Sequence, residues 1–184
     1  MNEYLNEIKS YEMLNEIADK DGVVVFGSTF TKNIPVSELA QALCLKCSIF
    51  NRSFNDLSVF DAVELFEATV KPLEPKKVLL QLGETDLARG YKSIDEIVNA
   101  YENLITTMRI YNKRISIVVV SVCSTEADAM ALNVRLEELA KKCKCQYADV
   151  TPATKTEKPG IKAFSMLKFF IKDKVSFYDA MNFC

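Results

Sequence analysis

Apolar residues follow two alternating rhythms along the chain. Short unbroken runs, V-V-V-F at 23–26, V-L-L-Q-L at 78–82 and I-S-I-V-V-V-S-V at 115–122, read as strands buried on both faces. Between them, apolar residues recur three and four apart, the spacing of a helix with one buried face. Residues 2–19 show it first, with Tyr4, Ile8, Tyr11, Leu14 and Ile17, until Asp21-Gly22 breaks the pattern. A helix over 36–45 and a second strand over 46–51 (K-C-S-I-F-N) follow the first strand. Asp56 or Ser58 is placed to cap a helix over 58–70, which Pro72 and Pro75 end. Ser93 and Glu96 form a capping box, and Ile94, Ile97, Val98, Tyr101, Leu104, Ile105 and Met108 make the stripe of the helix it opens. A helix over 126–142 leads to a fifth strand over 145–150, and a Thr-, Lys- and Pro-rich loop runs through Pro159-Gly160 to a last helical region interrupted near Asp173.

Strands that alternate with helices predict an α/β fold, with a parallel sheet, right-handed crossovers and helices on both faces. The expected arrangement is a flavodoxin-like three-layer sandwich of strand order 2-1-3-4-5 in one domain spanning 1–184. That order sets Gly27-Ser28-Thr29, after the first strand, beside Gly83-Glu84-Thr85-Asp86, after the third. Both lie at the carboxyl edge, where open α/β sheets bind ligands. Asp86 is expected to cap its own turn and Glu84 to be solvated.

Composition narrows the chemistry. A net charge of −2 gives no basic field to recruit nucleic acid or an anionic membrane. Seven charged residues among the first twenty argue against a signal peptide, and no apolar run is long enough to span a bilayer. A cytoplasmic protein with six reduced cysteines is the expectation. Cys44-x-x-Cys47 and Cys143-x-Cys145 together suggest a thiolate metal site, but the predicted order puts the pairs at opposite sheet edges, so neither zinc nor another cofactor is expected. Buried thiols filling space are the simpler reading. Cys123 stands apart, at the carboxyl end of the fourth strand, and the lysines of 155–162 read as a solvated loop. Histidine is absent altogether.

The motif loops resemble those of the SGNH (GDSL-like) hydrolases, esterases and lipases of flavodoxin-like fold with four blocks at strand ends. Their first block, G-D-S, carries the nucleophile; in F-G-S-T-F-T, Ser28 matches the Asp and Thr29 the nucleophile. The second, N-R-G, lends its glycine amide to the oxyanion hole and is matched by Asn51-Arg52-Ser53. The third, G-x-N-D, completes the hole and is matched by Gly83-Glu84-Thr85-Asp86. The last, D-x-x-H, supplies acid and base just before a final helix; the sequence match is Asp173-Lys174-Val175-Ser176. Asn133 and Asp149 also fit the family's approach to its fifth strand. The resemblance covers residues 22–180, yet each defining residue departs, with Thr29 for Ser, Ser53 for Gly, Thr85 for Asn and Ser176 for His.

Those departures imply a lost mechanism. A hydroxyl needs a neighbouring base to become a nucleophile, and Ser176 cannot serve as one. Thr85 offers a shorter arm than asparagine, and losing one oxyanion donor costs about 10²–10³ in rate. The expectation is a catalytically degenerate homologue whose vestigial cleft binds a small ester, a glycan-type ligand or a protein partner. A weak hydrolase using Thr29 or Ser28 is the first alternative, with Asp173 or an unrecognised base. A structural domain is the second, its cleft filled by Phe30, Phe54 and Phe177.

Overall fold

The computed structural model describes residues 4–172. Five strands, β1 (Val23–Gly27), β2 (Ile49–Asn51), β3 (Lys77–Gln81), β4 (Ser116–Val120) and β5 (Gln146–Ala148), form one parallel sheet of order β2-β1-β3-β4-β5. The apolar runs became the three central strands, and the two edges are three residues each, which limits exposed backbone. Alternation along each strand divides the core. Val24, Phe26, Val78, Leu80, Ile117 and Val119 face one layer, and Val23, Val25, Leu79, Val118 and Val120 face the other.

The first layer contains α1 (Leu5–Ile17), α4 (Ala62–Leu65), α6 (Ile94–Tyr111) and α7 (Ala127–Lys142). Ser93 and Glu96 do form the capping box of α6. The second layer holds α3 (Val36–Ala42) and α8 (Pro159–Ile171). The helix expected over 58–70 starts at Ala62 and runs on through a π-helical segment, Phe66–Val70, and a 3₁₀ turn, Lys71–Leu73, that includes Pro72. The residues before it are held by a tertiary contact described below. The helix expected over 36–45 stops at Ala42, where Cys44 takes a left-handed φ of 51°. Pro159 is the first residue of α8, where its missing N–H costs nothing. Two short helices, α2 (Thr29–Lys32) and α5 (Glu84–Arg89), were invisible to periodicity because neither completes two turns.

α8 runs back against the strands. Its start packs near Ile34, whose Cγ1 lies 3.4 Å from where a Cβ on Gly160 would stand. Near its end the Phe170 carbonyl accepts from Lys77 Nζ at 2.5 Å, at the amino end of β3. The segment that enters the last described helix at the carboxyl edge is therefore 156–158, Thr-Glu-Lys.

Candidate functional site at the carboxyl edge

The site begins with a close approach that only glycine permits. β1 ends at Gly27, where a Cβ would stand 2.2 Å from the Gln81 carbonyl oxygen of β3. The next N–H, that of Ser28, donates to the same carbonyl at 3.2 Å. Across the pair, Gly83 has φ +106°, and a Cβ there would meet Leu132 Cδ2 at 2.7 Å. This turn starts α5 and aims Thr85 back at β1. Ser28 Oγ and Thr85 Oγ1 lie 2.8 Å apart and both residues are buried. Ser28, one of the expected nucleophiles, is fully enclosed and cannot meet a substrate.

Thr29 opens α2 and is partly exposed. Its hydroxyl accepts from the Asp56 N–H at 2.8 Å and donates to Asp56 Oδ1 at 3.2 Å. Asp56 sits at φ 51°, which aspartate tolerates better than most residues. The Asp56 carbonyl accepts from Tyr4 Oη and Arg89 Nη2, each at 3.2 Å. Both polar groups of Asp56 that face Thr29 are thus presented by a pinned loop.

Asn51 and Ser53 belong to that loop. The Ser53 N–H, matched to the oxyanion-hole amide, donates to Asn51 Oδ1 at 3.0 Å. Asn51 Nδ2 donates to the Thr31 carbonyl at 2.8 Å and so ties the loop to α2. The Ser53 carbonyl accepts from Tyr11 Oη at 2.6 Å, while Ser53 Oγ is buried without a hydrogen-bond partner among the described residues. Arg52 is buried between the rings of Tyr11 and Phe50. Its Nε and Nη2 donate to Asn15 Oδ1 at 2.9 and 2.8 Å, with no carboxylate on it among the described residues. Burial moves the guanidinium pKa down. Tyr4, just before α1, and Tyr11 and Asn15 within it therefore fasten the loop.

Glu84 and Asp86 correct the sequence reading. Glu84 accepts from the Phe30 N–H at 2.8 Å and from Gln81 Nε2 at 3.3 Å, so it joins α5 to α2 rather than standing in solvent. Asp86 is buried and reaches across to Ser58 Oγ at 2.5 Å and the Val59 N–H at 3.1 Å. That contact holds 58–61 out of the following helix. Phe54 does not block the site; it lies in the core with its ring edge-on to Tyr4 and Tyr11. Phe30 packs, partly buried, on the α8 side.

Thr29, Ser28, Asn51, Ser53, Gly83 and Thr85 thus gather at one edge, as the strand order demands. Asp173, Ser176 and Phe177 lie outside the described residues. Cys123 is near the edge, but burial, with Glu84 and Asp149 nearby, pushes its thiol up to about 11. A thiol so placed is not a nucleophile at neutral pH. Asn133 and Asp149 do structural work: Asn133 exchanges two hydrogen bonds with the Val122 backbone, and Asp149 accepts from Ser121 and Thr151. Cys44 and Cys47 precede β2 while Cys143 and Cys145 precede β5, at opposite sheet edges, so the two pairs cannot share a metal ion. Sequence reasoning missed Asp56 as Thr29's partner. An Asn-Asp pair in a polar loop was the available signal, but not where it would point.

No protein-family model matches the sequence, and no curated protein matches it either. Solved structures do. A Streptococcus pneumonia protein provisionally described as a platelet activating factor superposes with a TM-score of 0.78 at 16% identity, over 92% of this chain and 94% of that one. A GDSL-like lipase from Bacteroides thetaiotaomicron gives 0.70 at 16%, over 89% and 94%. A carbohydrate esterase family 3 protein from Talaromyces cellulolyticus gives 0.66 at 17%, over 86% and 100%. At such identities the likeness establishes the fold.

Proposed function

We propose that this chain, which has the SGNH hydrolase fold, is a catalytically degenerate form of it that acts by non-covalent binding at the carboxyl edge. One observation carries the reading: the groups matched to the catalytic machinery are already hydrogen-bonded within the fold. The Ser53 N–H is taken by Asn51, Thr85 Oγ1 is shared with Ser28, and the Thr29 hydroxyl is held from both sides by Asp56. An oxyanion hole works only if its donors aim at the position where charge develops. Here one is aimed at Asn51 Oδ1 and the other is paired with Ser28 Oγ. The sequence also lacks the imidazole that takes the nucleophile's proton. The ligand classes that suit this edge are a small ester, a glycan or a protein partner.

A second reading has one observation in its favour. Asp56 Oδ1 lies 3.2 Å from Thr29 Oγ1, within reach of a general base, which makes a slow Thr29-dependent hydrolase conceivable in geometry. It ranks second because the Asp56 N–H already occupies the same oxygen, and because carboxylates are much weaker bases than imidazole. A fluorophosphonate probe separates the two. The degenerate reading predicts no adduct by intact-mass measurement. A phosphonylated Thr29 that disappears in Asp56→Asn would establish the hydrolase.

A further inference from the structure

The loop that holds Thr29 through Asp56 continues to Phe60, which lines a groove of about 360 Å³ against α6. The groove is separate from the residues around Thr29. Its aliphatic part is Val59, Val63 and Ala100. Phe60 is 43% exposed, and Lys92 Nζ stands 5.3 Å from its ring centroid. On the α6 side, Asn99 and Asn103 stand four residues apart and so share one face of the helix. Neither carboxamide has a hydrogen-bond partner among the described residues. The groove's one carboxylate, Glu96, is engaged by the Ser93 N–H at 2.9 Å and by Lys92 Nζ at 3.0 Å.

This combination selects a ligand class. Each carboxamide presents two donors and an acceptor, and neighbouring ones match a ligand with adjacent groups that both donate and accept. An aromatic ring beside aliphatic groups matches a ligand with an apolar face. An anionic ligand would have to compete with Glu96 for Lys92. An apolar helix would leave both amides without partners. A sugar ring has a C–H face and a rim of hydroxyls. We propose that this groove is a binding site for a pyranose unit of an uncharged glycan, with Phe60 against its C–H face and Asn99 and Asn103 on its hydroxyls. The proposal does not depend on whether Thr29 reacts.

The test is an NMR titration of ¹⁵N-labelled protein with the methyl glycosides of glucose, galactose, mannose, xylose and N-acetylglucosamine. Saturable shifts of the Asn99 and Asn103 side-chain amides and of the 59–63 backbone are expected with at least one sugar. Phe60→Ala and the pair Asn99→Ala with Asn103→Ala should each weaken that binding about tenfold or more. Both changes are at accessible groups, and an unchanged spectrum elsewhere confirms that the variants fold. No saturable shift with any of the five sugars would overturn the proposal, as would shifts that survive both changes.

Discussion

The loops after β1, β2 and β3 and the loop after β5 end at the same edge of the sheet, but they are built differently. The first three are cross-linked. Ser28 meets Thr85, Thr29 meets Asp56, Phe30 meets Glu84, Asp86 meets Ser58, and Asn51 reaches α2. The loop after β5 is bonded mostly within itself, through Thr151 to Asp149, Thr154 to Thr151 and Thr156 to Ala153, with Ser121 and Cys123 as outside ties. In an active triad one group must stay free to take a proton and others free to hold an oxyanion. Here the cross-linked loops have turned their polar groups inward. The segment that enters α8 carries Glu157 and Lys158. The comparison sets loops braced against one another beside a loop braced mostly within itself.

Changes at the groups that brace the cross-linked loops should therefore cost far more than changes in the loop before α8, the Ser53 hydroxyl excepted. Gly27→Ala is the largest. A methyl 2.2 Å from a backbone oxygen must push β1 from β3, at about 3 kcal/mol or more by urea unfolding. Next is Asn15→Ala, which takes from buried Arg52 the oxygen that accepts two of its bonds, at about 2–3 kcal/mol in the same measurement. Ser53→Ala runs the other way. Its Oγ is buried and unpartnered, so removing it should leave stability unchanged or raise it by about 1 kcal/mol. A clear loss would mean that the hydroxyl has a partner, such as an ordered water. The smallest effect is Lys155→Ala with Lys158→Ala, within about 0.5 kcal/mol. A larger change would show that this loop is tied down after all.

The sheet was legible because a run such as V-V-V-F has few alternatives, and strand order followed from the crossovers. The motif loops were legible as places, since strand ends fix them. Their bonds were not. Periodicity cannot show that Asp86 passes over its own turn to reach Ser58, or that Asn51 spends its carbonyl oxygen on the Ser53 N–H. Ser58 lies 28 residues from Asp86, and Asn51, although only two residues from Ser53, could as well have turned to solvent. The entry to α8 was legible: proline suits a first helical position, and the helical region expected after the Thr-, Lys- and Pro-rich loop runs over Pro159–Ile171, reaching the amino end of β3 at Phe170.

The most direct test is hydrolysis of a short-chain aryl ester by the natural protein, alongside Thr29→Val and Asp56→Asn. With the oxyanion donors turned inward and no imidazole, the account predicts the same rate for all three, no higher than the uncatalysed background. Robust turnover by the natural protein that Thr29→Val abolishes would contradict it.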